Sequence, residues 1–244
     1  MGPPSDSPRV GQWARAVCVS RVSREGRLAL GGASRQRPRP RSRTLPLSPT
    51  TPSPPPQNGA WECVPDGANP PTRGTVLRQV VPAHPITWRP DETRPHTVLG
   101  SMQWRDVDAS IDFRLAAVGD VALLAARCWI DGKASGAAPI TAENAMAGVW
   151  LAVTQQAQWA LYRNVANVSV AGAAVASGPL PLLVPGAWHT ARLVVAGRTA
   201  TAYLDGARLF DGVDVGWAAA NGWVGVGTGD WGQHVDFDRV VVTT

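Results

Sequence analysis

From about Asn58 onward, apolar residues come in short runs, many alternating with polar ones, and turn residues interrupt them at a spacing of roughly 8–12 residues. The runs fall at 76–81, 96–103, 107–117, 121–130, 147–154, 157–163, 168–176, 187–196, 199–205, 222–228 and 234–243. Helical periodicity is nearly absent, and there is no sign of a strand-helix-strand unit. Asp131-Gly132, Ala196-Gly197 and Asp205-Gly206 supply the positive φ that tight hairpins need. Residues 192–210, RLVVAGRTATAYLDGARLF, read as three consecutive antiparallel strands. The pattern predicts an all-β chain, an antiparallel β-sandwich or jelly roll of ~180 residues.

One run is unusual in its glycines: NGWVGVGTGDWGQHVDFDRVVV, residues 221–242. A phosphate-cradling loop needs a strand before it and a helix N-terminus after it. Gly225, Gly227 and Gly229 lead into DWGQHVDFDRVVV, a segment too β-branched and turn-rich for a helix, so the phosphate reading fails. Glycines alternating with Val and Thr suit a strand approached closely by another backbone or a large ring.

Charge divides the chain into two regions, 1–57 and 58–244. Met1 to Ala60 hold ten arginines against Asp6 and Glu25, which is +8 of a chain whose net charge is +5 and leaves −3 for the rest. The basic balance therefore belongs to a tail, and the predicted folded part is not a nucleic-acid binder on this ground. Residues 34–57, SRQRPRPRSRTLPLSPTTPSPPPQ, cannot bury enough apolar area to offset ordering entropy and predict a disordered tail or linker. The Arg/Ser-rich start also has the composition of an organelle transit peptide, of an arm for acidic partners, or of a gene start placed too early. No apolar stretch reaches the ~18 residues of a membrane-spanning helix. Cys18 lies in the tail, leaving Cys63 and Cys128 either as a pair or as buried free thiols.

Candidate chemistry is sparse. Glu62, Glu92 and Glu143 are the glutamates of the predicted domain, and none has a partner carboxylate that the pattern places across a sugar. His84, His96, His189 and His234 belong to no metal or nucleophile motif, and structural roles on strand faces are expected. No catalytic residue is assigned. Asp236 and Asp238 fall on one face of a strand, where they could offer oxygens to calcium or form a solvated acidic face beside Arg239. Eleven Trp against three Phe and two Tyr is a skewed aromatic balance. Trp104, Trp150, Trp159, Trp188 and Trp223 sit in strand-like runs and are expected in the core, whereas Trp217 and Trp231 lie in loop-like stretches open to a ligand.

Seven blocks in order carry a resemblance: LRQVVPAHPITW (77–88), HTVLGSMQW (96–104), GVWLAV (148–153), AWHTARLVVAG (187–197), YLDGARLFDGVDV (203–215), NGWVGVGT (221–228) and VDFDRVVV (235–242). They resemble the C-terminal lectin-like domain of the galactocerebrosidases, glycoside hydrolase family 59, over roughly Asn58 to Thr244. The resemblance implies a concanavalin-A/laminin-G-like jelly roll that accompanies a catalytic barrel, a glycan or glycolipid ligand, and a lysosomal or secreted location. It also implies a calcium ion, held by Asp238 of the Phe237-Asp238 pair together with the family's Gly-Asp-x-Asn-Trp stretch. That stretch here reads Gly100-Ser101-Met102-Gln103-Trp104, so Ser101 and Gln103 replace Asp and Asn and a charge is lost. Calcium affinity follows the count of charged oxygens, and the expected site is weakened accordingly. A free-standing glycan-binding module is the alternative role, and nucleic-acid binding through the tail a third.

Overall fold

The structure, a computed structural model, describes residues 59–68, 73–83, 94–130, 146–163, 174–216 and 221–244. Among them are thirteen strands and no helix: β1 (Trp61–Pro65), β2 (Thr75–Gln79), β3 (His96–Leu99), β4 (Val107–Leu115), β5 (Val121–Ile130), β6 (Met146–Thr154), β7 (Gln158–Arg163), β8 (Ala176–Pro179), β9 (Trp188–Ala196), β10 (Thr199–Leu204), β11 (Ala207–Asp214), β12 (Trp223–Thr228) and β13 (Val235–Thr243). They pair antiparallel into a seven-stranded sheet, β1-β2-β13-β4-β9-β10-β11, and a six-stranded sheet, β3-β12-β5-β6-β7-β8. The predicted all-β sandwich is what forms.

Strand alternation explains how the sheets meet. Val107, Ala109, Ile111, Phe113 and Leu115 of β4 face inward with Ala191, Leu193 and Val195 of β9, against Leu124 and Ala126 of β5 and Val149, Leu151 and Val153 of β6. This period-2 burial is the one read from the sequence. The two sheets differ on their other faces. In the six-stranded sheet a second buried cluster, Val98, Leu123, Ala125, Cys128, Trp150 and Ala152, makes both faces apolar. That is why VALLAARCWI has no polar alternation. The seven-stranded sheet instead carries charged residues on its far face.

β9, β10 and β11 are the three consecutive strands expected from 192–210, with β10 and β11 joined at Asp205-Gly206, whose φ are 50° and 81°. The glycine run is strand β12. A Cβ at Gly225 would lie 2.9 Å from Cys128 Sγ, and one at Gly227 would lie 2.7 Å from the Pro95 carbonyl oxygen. Close approach, the expected reason for these glycines, is the observed one. The run expected at 168–176 meets β8 at Ala176, where that strand starts; residues 168–173 and the Asp131-Gly132 turn lie outside the described residues. β1 falls outside the expected runs, its five residues having too mixed a pattern.

Cys63 is disulfide-bonded and Cys128 is a buried free thiol, so the two do not pair. The free-thiol expectation holds for Cys128, whose apolar surroundings push its pKa up, and is corrected for Cys63. Arg127, almost wholly buried on a β5 bulge with φ 54°, ties one end of the sandwich together. It donates to the carbonyls of Arg105 and Gly197, each at 2.6 Å, and to Asp106 at 3.1 Å.

Candidate functional site

The outward residues of β4 are Asp108, Ser110, Asp112 and Arg114, and β9 sets Trp188, Thr190 and Arg192 beside them in register. β13 adds Asp236 opposite Arg114 and Asp238 opposite Asp112. Asp236 and Asp238 thus share a face, as their spacing requires. Their partners are arginines.

Asp236 accepts from Arg78 Nε at 2.6 Å and from Arg114 Nε at 3.1 Å. Arg114 Nη2 also donates to Asp66 Oδ1 at 2.7 Å. Asp112, 5% exposed, accepts from Arg73 Nη2 at 2.8 Å, Arg239 Nε at 2.6 Å and the Thr190 hydroxyl at 2.7 Å. Arg73 Nη1 lies 3.4 Å from Asp238. Arg192 grips Asp108 through two bonds of 2.8 and 2.6 Å and covers the Tyr203 ring. Five arginines and five aspartates therefore neutralise one another across the sheet.

Two local features deliver these groups. Asp66 accepts the backbone N–H of Ala68 at 3.0 Å and of Arg73 at 2.8 Å, which holds Arg73 beside the sheet. β13 bulges after Asp238, with Arg239 at φ 44°, so a residue that strict alternation would turn inward reaches Asp112 on the outer face. Burial lowers the pKa of Arg114, but the hydrogen bonds and charges of Asp236 and Asp66 outweigh it and hold the guanidinium above its ordinary value.

Trp188 stands among these ions. The guanidinium carbons of Arg73 and Arg114 lie 4.9 and 5.0 Å from its ring centroid, within cation–π range. At the same end of the sheet is a depression of about 510 Å³, lined by Gly67, Arg78, Arg114, Gly186, His234 and Asp236 among others. Arginine donors and a carboxylate acceptor lining an open recess, with the Trp188 indole against one of those arginines, suit a polyhydroxylated ligand, whose hydroxyls take both bond senses and whose C–H faces stack on aromatic rings.

Of the residues expected to hold calcium, one belongs to a strand of the seven-stranded sheet and two follow a strand of the six-stranded sheet. Asp238 sits within the seven-stranded sheet, its carboxylate turned to Arg73 and to the Arg239 N–H at 2.8 Å. Ser101 and Gln103 lie in the turn after β3, at the edge of the other sheet, where the Ser101 hydroxyl accepts the Gln103 N–H at 3.2 Å. Among the described residues there is no group of three His, Cys, Asp or Glu placed to hold a metal. Calcium at Asp238 would have to compete with the Arg73 guanidinium, and Ser101 and Gln103 would add only uncharged oxygens.

Other expectations divide. Trp150 and Trp159 are core residues, and Trp104 and Trp223 are partly buried. Trp188 is corrected, since it faces outward into the ionic face. The signal that could have placed it is alternation: Ala191, Leu193 and Val195 take the inner positions of β9, which sends Trp188 out. Trp231 is half-buried, and Trp217, Glu92, Glu143 and His84 lie outside the described residues. His96 is buried with its pKa lowered by desolvation, and His189 Nδ1 lies 2.7 Å from Asp205.

Comparison with known proteins matches residues 56–244 to the family model described as galactocerebrosidase, C-terminal lectin domain. The galactocerebrosidase of Salmo salar is 30% identical over 189 residues, 76% of this chain and 26% of that protein; that of Danio rerio is 25% identical over 187 residues. The chain thus spans about a quarter of the length of the curated relatives it matches. Among solved structures, a carbohydrate-binding module, CBM66 from Bacillus subtilis, superposes with a TM-score of 0.51 at 15% identity, covering 77% of this chain and 92% of that one, a likeness of fold. By the family match, the order of its blocks and the sandwich they build, this chain belongs to the galactocerebrosidase C-terminal lectin domain family.

Proposed function

We propose that the outer face of the seven-stranded sheet binds the sugar of a β-galactoside, in a non-catalytic accessory domain that serves galactosylceramide-type glycolipids. The observation that carries this is Trp188, with the Arg73 and Arg114 guanidiniums over its ring, near an open recess that Arg114 itself lines on a charge-balanced face. A neutral sugar leaves that balance intact, whereas a charged ligand of either sign must displace an internal partner. Hydrolysis, in this reading, belongs to a barrel of the kind the family resemblance implies, which this domain would brace. The alternative, a free-standing glycan-binding module, uses the same face and differs in needing no barrel.

Calorimetric titration of the whole chain with methyl β-galactoside tests the reading. Saturable binding is expected, weakened at least ~10-fold by Trp188→Ala, since aromatic anchors dominate such contacts. Unaltered affinity in a folded Trp188→Ala variant, or no binding by the wild type, would remove the site from this face. The family's calcium is put to the same titration. Affinity lost with a chelator would support an ion at Asp238, Ser101 and Gln103, and affinity that survives one would speak against a part for calcium in binding.

A further inference from the structure

Among the described residues, the most exposed large apolar side chains are Val118 at 78%, Leu182 at 77% and Val184 at 65%. They stand on two neighbouring loops at one end of the sandwich. Val118 follows β4, while Leu182 and Val184 precede β9, and the Gly186 N–H donates to the Leu115 carbonyl at 2.8 Å. Both loops are braced. The Asp120 carboxylate accepts the N–H groups of Ala116 and Ala117 at 3.0 and 2.8 Å, and the Gln233 amide donates to Gly119 O at 2.9 Å. In the other loop Leu180 and Leu183 are buried in the core, and the flanking Leu182 and Val184 are held outward. Ala116, Pro185 and Gly186 of these same loops line the polar depression.

We propose that Val118, Leu182 and Val184 form an interfacial anchor that inserts into a lipid surface, so that the adjoining depression meets sugar headgroups at that surface. The second half rests on the galactoside reading above; the anchor itself does not. Three aliphatic side chains fall well short of the ~800 Å² per partner of a stable protein interface, and they include none of the Trp, Tyr or Arg that dominate such contacts. A lipid surface requires no matching shape, and binding to it grows with the apolar area inserted. Arg78 and His234, both lining the depression beside the tip, place polar side chains next to the apolar ones, at headgroup level.

The test uses the whole chain and the variant Val118→Ser/Leu182→Ser/Val184→Ser. Co-sedimentation is measured with phosphatidylcholine vesicles, with and without a β-galactosyl lipid, beside titration with soluble methyl β-galactoside. The variant is expected to lose at least ~10-fold in vesicle partitioning. Its thermal midpoint and its affinity for the soluble galactoside should stay as in the wild type. Vesicle binding equal in variant and wild type, or absent from the wild type, overturns the anchor. Conversion of a wild-type dimer to a monomer by the same changes, with vesicle binding unaltered, overturns it in favour of a contact between copies. Loss of vesicle binding in the variant with no soluble galactoside bound by either protein supports the anchor and removes the galactoside reading.

Discussion

Asp236 shows how single residues set the character of the outer face. It joins Arg78 of β2 to Arg114 of β4, and Arg114 extends the link to Asp66, whose side chain is fully buried. Removing one member of a buried pair leaves the other charge without compensation, which costs more than the pair contributes. Asp236→Ala is therefore expected to lower unfolding free energy by about 3 kcal/mol, measured by urea denaturation. A loss below ~1 kcal/mol would mean that solvent screens the network as it does at an open surface. How far such residues can be read from sequence depends on their geometry. The outward set of β4 and β9 is legible from alternation alone. The pairing of Arg73 with Asp112, 39 residues apart, and the turning of Arg239 by a bulge are not, because both depend on contacts between distant strands.

β12 illustrates the next scale. Its pattern, WVGVGT, signals a strand with something close to its glycines, and the structure identifies Cys128 at Gly225 and the Pro95 carbonyl at Gly227. Backbone cannot retreat as a side-chain tip can. Gly227→Val is thus expected to destabilise by about 1–3 kcal/mol through overpacking and to loosen β3, which pairs with β12 up to His96. Faster amide exchange across residues 96–99 in the variant would check this, and unchanged exchange with an unchanged midpoint would refute it. The long, strongly alternating strands are legible in the sequence. β1 is not, since its five residues are held by pairing with β2 rather than by a pattern of their own.

Across the whole molecule, an asymmetry between the sheets determines where a ligand can sit. Among the described residues the six-stranded sheet buries apolar clusters on both faces, while the seven-stranded sheet offers a polar, sugar-compatible surface, with the depression and the apolar tip at one of its ends. Whole-chain charge gives no hint of this, because the +8 of the first sixty residues hides a slightly acidic domain. The fold is legible in sequence through strand spacing and the ordered blocks. The expected metal residues are legible as residue types, whereas the guanidinium that Arg73 sets against Asp238 is not. The central claim, that Trp188 faces the sugar, is tested most directly by the indole N–H resonances of the chain's eleven tryptophans, with Trp188 assigned by its disappearance in Trp188→Phe. On titration with methyl β-galactoside, the Trp188 resonance is expected to shift most. A titration that moves the Trp231 or Trp223 resonance while Trp188 stays fixed would contradict it.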